Sequence, residues 1–194
     1  MSRPVVNPGR VDWTGENPGI YLKEDGAEDF ASLASFFRVA RSPFGYGHAA
    51  FVFPSPRTAG APNACYTDNP PLAAWLARDF LAHFGAFKNL PALDAPVIVS
   101  PASFSFDASS PRRWSEVIRA DDTEVRLDWI GLGNPFMVEL PFDQSATGKH
   151  DMFSLFVPAE SAEIVVDGAR LPGRAVPRQM GDRPFSSAFL ALSE

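Results

Sequence analysis

Nineteen prolines and 14 glycines interrupt this chain of 194 residues, and they divide it into short segments. Proline lacks the backbone N–H that helix interiors and central strands require, and its usage here is about twice that of ordinary proteins. Short apolar runs between frequent turn residues are typical of β-rich domains. The pattern predicts an α+β, predominantly antiparallel β fold of about eight to ten short strands in a curved sheet, a sandwich or a barrel.

The first residues of the chain carry turn signals and no clear periodicity. Asn-Pro-Gly occurs twice, at residues 7–9 and 17–19, which predicts an irregular N-terminal arm over residues 1–25. The remaining residues, 26–194, are short enough to share one core, so we expect a single β-rich domain there. Residues 27–37 are compatible with either a short helix or a strand, and the sequence leaves this choice open.

Several later segments alternate apolar and polar residues as half-buried strands do. The predicted strands are residues 46–54, 97–107, 135–142, 152–157, 163–167 and 185–192. Asp167-Gly168 is a hairpin-turn candidate after the fifth of these segments.

One main helix is predicted at about residues 70–85. Asn69 is a suitable N-cap, prolines at 70 and 71 are tolerated in the first turn, and Gly85 is suited to follow the last turn. Apolar residues repeat at helical spacing, which indicates a helix lying across a sheet. These residues are Leu72, Trp75, Leu76, Phe80 and Phe84.

The clearest hairpin signal lies in residues 113–130. If Asp121 and Asp122 form a two-residue loop, Arg119 lies opposite Glu124, and their charges favour this register by roughly 0.2–1 kcal/mol. Glu116 then points to the inner face. An inward carboxyl group is a candidate catalytic or ligand-binding acid with a raised pKa. A register shift of one residue would instead place it in solvent.

Asp79 and His83 are a polar pair on the apolar face of the predicted helix. They lie four residues apart, so their side chains can meet in a continuous helix. A carboxylate beside an imidazole orients a general base, which makes both residues catalytic candidates. The alternative is structural, since two polar groups near a core satisfy each other by pairing.

The loop at residues 143–151 holds the densest group of reactive side chains, and Lys149, His150 and Asp151 are its candidate ligand-binding residues. A flexible loop between two strands is a common place for a ligand site, although a solvated turn explains the same composition. The Gly-Lys step is not a phosphate-binding loop, because Asp143 and His150 stand where that motif requires Gly and Ser or Thr.

His48 opens a predicted strand and is a further ligand-binding candidate. The three histidines show no paired ligand spacing, so we predict no metal site and no cofactor. Cys65 is the only cysteine, so an intrachain disulfide is excluded. A lone cysteine is typically a small buried apolar residue.

The net charge of −6 and a pI near 5.1 argue against nucleic acid and anionic membranes as partners. No apolar run approaches the length of a membrane span, and the first residues do not resemble a signal peptide. We therefore expect a cytoplasmic protein. Whether it self-associates as a homo-oligomer is left open.

The first functional hypothesis is a small-molecule-binding domain with its pocket in the mouth of the curved sheet. The second is a hydrolase- or lyase-type enzyme in which His83 or His150 acts as general base beside Asp79 or Glu116. The third is a structural or protein-interaction subunit. The first two hypotheses require that the polar side chains at 79/83 and at 149/150 meet at one enclosed hollow.

Overall fold

The computed structural model of the protein describes residues 12–58, 63–90, 93 and 97–193. Within these residues the chain forms 15 strands and one α-helix, which confirms an α+β fold that is predominantly antiparallel β. The helix is α1 (Pro70–Asp79), followed by a 3₁₀ turn at Leu81–His83. The strands are β1 (Thr14–Glu16), β2 (Gly19–Leu22), β3 (Ser32–Arg41), β4 (Gly47–Phe53), β5 (Ala64–Thr67), β6 (Val97–Val99), β7 (Ser103–Asp107), β8 (Arg113–Ala120), β9 (Thr123–Leu132), β10 (Phe136–Leu140), β11 (Met152–Val166), β12 (Ala169–Arg170), β13 (Pro177–Met180), β14 (Arg183–Ser186) and β15 (Ala188–Ser193).

Thirteen of these strands belong to one curved sheet. Its main path runs β6-β5-β4-β3-β1-β15-β11-β9-β8-β7, while β2, β10 and β12 pair beside this path. Neighbouring strands are antiparallel except β5 and β6, which run parallel. The two strands β13 and β14 pair only with each other and form a separate hairpin.

The long strand β11 joins the two halves of the sheet. Its first part, through Pro158, pairs with β15, whereas its second part, from Ala159, pairs with β9. The two halves then face each other across a shared hydrophobic core. This core includes Phe36 from the first half and Ile118 and Trp129 from the second. The sheet is therefore folded over like a sandwich.

Strand β3 is buried on both faces along most of its length. In β3, Leu33 and Phe37 pack in the core beneath α1, while Ala34 and Phe36 pack in the core between the two sheet halves. A strand buried on both faces reads as a continuous apolar run without alternation. This burial explains why the sequence alone could not separate helix from strand at residues 27–37, of which Ser32 onward is strand.

The predicted irregular arm is corrected in its described part, because β1 and β2 lie within it. Ile20, Tyr21 and Leu22 are at most 6% exposed, and β2 pairs with both β3 and β15. Burial of these apolar side chains outweighs the turn signal at Asn17-Pro18-Gly19. Residues 1–11 lie outside the described residues.

The helix begins as predicted but ends earlier. The Asn69 side chain accepts a hydrogen bond from the Leu72 N–H at 3.2 Å, which confirms the N-cap. The α-helix stops at Asp79 instead of continuing to residue 85, and the 3₁₀ turn follows. The apolar stripe is buried from Leu72 to Phe80 as expected. No helix of the described residues is long and apolar enough to cross a bilayer.

The predicted strand at residues 97–107 is two strands, β6 and β7, which lie in different halves of the sheet. The predicted strands at 152–157 and 163–167 are parts of β11. The first segment is divided because β6 pairs with β5 in one half of the sheet and β7 pairs with β8 in the other.

The predicted hairpin is confirmed residue by residue. Ala120 pairs with Thr123 across the two-residue loop, and Arg119 pairs with Glu124, whose carboxylate lies 2.8 Å from the guanidinium. Glu116 lies opposite Leu127 and is fully buried. The turn at Asp167-Gly168 is also confirmed, with φ angles of 50° and 78° that are typical of a type I′ turn.

Candidate functional site

A cavity of about 240 Å³ lies on the helix side of the first sheet half, and we call it the aromatic cavity. Strands β2, β11 and β15 provide one side, the chain after α1 provides a second, and the β13–β14 hairpin and the 143–151 loop provide the rest. The lining residues are Asp12, Trp13, Asn17, Tyr21, Phe80, Phe84, Gly85, Ala86, Ser145, Ala146, Thr147, His150, Asp151, Met152, Ser154, Phe156, Arg178, Gln179, Met180, Phe185, Phe189, Ala191 and Ser193.

Aromatic rings pack against one another around this cavity. Phe185 lies 5.4 Å from Phe156 and 5.1 Å from Phe189, and the Phe189 ring is 5.6 Å from that of Tyr21. Edge-to-face and offset contacts of this kind stabilise ring clusters and hold them in place. The walls are therefore largely apolar, and their rings pack against one another.

The loop at residues 143–151 supplies the polar rim, as the sequence suggested in part. His150 and Asp151 line the cavity, together with three residues of the loop at 145–147. Lys149 does not line it. Hydrogen bonds within the loop and to the residue before it stabilise its conformation. The Thr147 hydroxyl lies 3.1 Å from the His150 Nδ1, and the Asp151 carboxylate accepts a hydrogen bond from the Phe142 N–H at 2.7 Å.

The His150 ring is held on three sides. It stacks on Phe80 with ring centroids 4.6 Å apart, its Nδ1 contacts Thr147, and its Nε2 lies 3.0 Å from an Asp12 carboxylate oxygen. Both ring nitrogens are thus occupied by protein groups. This arrangement fixes the position of the His150 ring at the rim of the cavity.

Two other polar groups at the cavity were not identified from the sequence. The Tyr21 side chain is 6% exposed, and its hydroxyl has no hydrogen-bond partner among the described residues. Burial raises the pKa of this hydroxyl, and the positive charge of Arg178 lowers it by less. The Arg178 guanidinium forms no ion pair with a described residue. Neither residue lies in a sequence motif, so no local signal could have marked them.

A second concavity of about 540 Å³, which we call the Arg38 cleft, is wider and lies toward the other face of the sheet. Glu16, Arg38 and His48 line it and are directly opposite one another in β1, β3 and β4. Leu155 and Leu192 continue the same row across β11 and β15. The cleft therefore has a polar half and an apolar half.

Glu116 lies beside this cleft, bonded to Arg38. The Arg38 guanidinium donates to both Glu116 carboxylate oxygens, at 2.7 and 2.9 Å, and Trp114 Nε1 donates at 2.7 Å. Arg38 also bonds to Glu16. Burial raises the pKa of the Glu116 carboxyl, although Arg38 and Trp114 oppose the shift. Glu116 is thus buried as the sequence indicated, with Arg38 as its partner.

His48 forms a close pair with Asp68 at the edge of the cleft. Its Nδ1 lies 2.6 Å from one Asp68 oxygen, and its backbone N–H donates to the other at 2.6 Å. The ring also stacks on Phe104 with centroids 4.6 Å apart. An imidazole oriented in this way by a carboxylate has the geometry of a general base, while the same bonds also tie β4 to the chain that precedes α1.

The structure does not bring Asp79 and His83 together as a site. The Asp79 carboxylate bonds to the neighbouring Arg78 at 2.6 Å instead. His83 lies in the 3₁₀ turn beyond the end of α1, so the four-residue spacing no longer aligns the two side chains. Neither residue lines the aromatic cavity or the Arg38 cleft. Of Lys149 and His150, only His150 lines the aromatic cavity, so the single hollow that was expected to join the two pairs is not formed.

Cys65 is fully buried, and burial raises the pKa of its thiol. A thiol with a raised pKa is a poor nucleophile. The described residues hold no cluster of three or more His, Cys, Asp or Glu side chains close enough to bind a metal ion.

Comparisons of the chain with models of protein families, with curated proteins and with solved structures give no match.

Proposed function

We propose that this protein binds a small, largely apolar molecule in the aromatic cavity. The observation that carries the proposal is the cavity itself, a space of about 240 Å³ among ordered aromatic rings with a polar rim. The cavity is partly open to solvent, so a ligand can enter it from the rim. Concave apolar sites with a few convergent polar groups are typical of ligand pockets.

The size of the cavity limits the ligand. An apolar cavity of roughly 150 Å³ admits benzene, so a volume of about 240 Å³ accommodates about ten non-hydrogen atoms. The walls favour an aromatic or branched apolar body, because contact with rings such as Phe156 and Phe189 removes apolar surface from water.

The enzyme hypothesis has less support at this cavity. His150 lines the cavity. The other three residues of that hypothesis, His83, Asp79 and Glu116, do not line the cavity. The interaction hypothesis would use the exposed side chains of Met137, Phe153 and Leu192, which lie outside the aromatic cavity.

The test uses neutral aromatic probes, beginning with indole, followed by thermal unfolding and by NMR titration. At ten times its dissociation constant, a probe that binds only the folded state stabilises it by about 1.4 kcal/mol, or roughly 3–6 °C for a domain of this size. Ala146 lies at the rim and is exposed, so Ala146→Trp is expected to obstruct the cavity without disturbing the core.

Ala108→Trp is the matched control, because Ala108 is also exposed in a loop but lines neither concavity. It should bind the probe as the wild type does, whereas Ala146→Trp should not. If no neutral aromatic probe of this size stabilises the wild type, the proposed function is wrong. Equal binding by the wild type and Ala146→Trp would also contradict it.

A further inference from the structure

We propose that the ligand of the aromatic cavity is a small organic acid, whose carboxylate is held by the Tyr21 hydroxyl and the Arg178 guanidinium. This inference rests on the proposed function and adds the chemical class of the ligand. The body of the ligand would be aromatic or branched, as the walls require.

Tyr21 provides the first observation. Three aromatic rings hold its side chain edge-on, with centroid distances of 5.8 Å to Phe30, 5.4 Å to Phe87 and 5.6 Å to Phe189. Its hydroxyl is nevertheless without a hydrogen-bond partner among the described residues. The hydroxyl oxygen reaches the open space of the cavity. A hydroxyl held there by three neighbouring rings is available as a hydrogen-bond donor for a ligand.

Arg178 provides the second observation. It lies opposite Phe185 in the β13–β14 hairpin, so both side chains belong to the same face of that hairpin. Phe185 is buried in the aromatic core, and both residues line the cavity. The charge of Arg178 also reaches the Tyr21 hydroxyl, since it lowers the pKa of that group against the larger effect of burial.

Arg178 is exposed and has no ion-pair partner among the described residues, as is also true of Arg41 and Arg183, but of these three only Arg178 lines the cavity. Arg113 and Arg126 both pair with Asp128, and Arg174 pairs with Asp25. A guanidinium accepts no hydrogen bonds and binds carboxylates with two parallel donors. An unpaired guanidinium at a cavity is therefore suited to an anionic ligand.

Two acidic residues, Asp12 and Asp151, also line the cavity, and each carboxylate already has a hydrogen-bond partner. Asp12 contacts His150 Nε2 at 3.0 Å, and Asp151 accepts from the Phe142 N–H at 2.7 Å. The Tyr21 hydroxyl and the Arg178 guanidinium both line the cavity, and both can donate hydrogen bonds to a carboxylate. The guanidinium would repel an ammonium group, because both carry a positive charge.

The experiment compares three probes of similar size and different charge: phenylacetate, phenylacetamide and 2-phenylethylamine. Dissociation constants are measured by NMR titration or calorimetry at pH 7 and constant ionic strength. Phenylacetate should bind about 10- to 100-fold more tightly than the amide, since hydrogen bonds to charged groups contribute more than neutral ones. The amine should bind most weakly.

Two variants test the named donors. Arg178→Gln should weaken phenylacetate by about tenfold or more and leave phenylacetamide essentially unchanged. Tyr21→Phe retains the ring and its packing, and should weaken phenylacetate by about 2- to 10-fold. Arg183→Gln is the control, because Arg183 carries the same charge on the same hairpin but does not line the cavity. It should leave the preference for the acid intact.

Thermal unfolding of each variant without probe verifies that the fold is retained. If the amide or the amine binds the wild type as tightly as the acid, the inference is wrong while binding in the cavity stands. The inference is also wrong if Arg178→Gln still binds the acid more tightly than the amide. It is equally wrong if Arg183→Gln abolishes the preference for the acid to the same extent as Arg178→Gln. If indole binds and none of the three probes does, the inference fails alone. If indole fails as well, the proposed function fails.

Discussion

Removal of the Glu116 carboxylate should cost far more stability than removal of an exposed carboxylate from the same hairpin. The Glu116 side chain is 1% exposed and bonds to Arg38 through both oxygens. Glu116→Ala would leave the Arg38 guanidinium without its buried partner, over the Phe106 ring at 4.9 Å. Water would replace the lost hydrogen bonds only in part.

The expected loss follows from the burial of the pair. Removal of one partner from a buried ion pair typically costs about 3–5 kcal/mol. Arg38 is 23% exposed and keeps its bond to Glu16, so the lower end of this range, about 3 kcal/mol, applies. For a domain of this length such a loss lowers the melting temperature by roughly 6–12 °C.

The assay is urea unfolding at pH 7, followed by tryptophan fluorescence and by circular dichroism. Glu124→Ala is the matched control, because Glu124 pairs with Arg119 at 2.8 Å in the same hairpin but is 50% exposed. An exposed pair contributes only about 0.2–1 kcal/mol. The two variants thus differ in the burial of the carboxylate while the residue type and the kind of partner remain the same.

The reasoning would be refuted if Glu116→Ala cost no more than Glu124→Ala. That result would mean that the Glu116 carboxylate is hydrated in the folded state. It would imply a register of β8 and β9 shifted by one residue, with Glu116 on the outer face.

Two further predictions concern a buried acid and a helix cap. Burial raises the pKa of the Asp128 carboxyl, but hydrogen bonds from Ser115 and Arg113, together with the charges of Arg126 and Arg113, outweigh burial and lower this pKa below its ordinary value of 3.8. The ionised Asp128 carboxylate therefore stabilises the folded state at pH values above 3.8, the ordinary pKa that applies in the unfolded chain. This stabilisation is lost as the pH falls through the lower pKa of the folded state. The stability difference between wild type and Asp128→Asn, measured by urea unfolding, should shrink from pH 7 to pH 3, and a constant difference would contradict this. Asn69→Ala should cost about 1–2 kcal/mol, because the cap bond to Leu72 is lost; an unchanged urea midpoint would exclude the capping role.

Local chemistry made several elements of the fold predictable. The β8–β9 register follows from a two-residue turn and the alternation on either side of it, all within 18 residues. The helix start follows from Asn69, whose side chain bonds to a backbone group three residues away. The position of Glu116 on the inner face then follows from register alone. In each case the deciding contacts join residues close in sequence.

Other elements depended on burial that no local pattern reveals. Strand β3 packs on both faces, so its apolar residues do not alternate. The helix ends at Asp79, so the proposed pairing with His83, which assumes a continuous helix, is not formed. These differences arose where tertiary packing outweighed local propensity.

The amino-acid sequence by itself determined the β-rich class, the hairpin with its buried acid and the start of the helix, because short-range hydrogen bonds and periodicity govern these features. Only the tertiary structure decided the candidate site. The aromatic cavity joins Tyr21, His150 and Arg178, which are far apart in the chain. Their proximity depends on strand pairings between distant segments, and the energy of those pairings lies in packing that forms only when the sheet is complete.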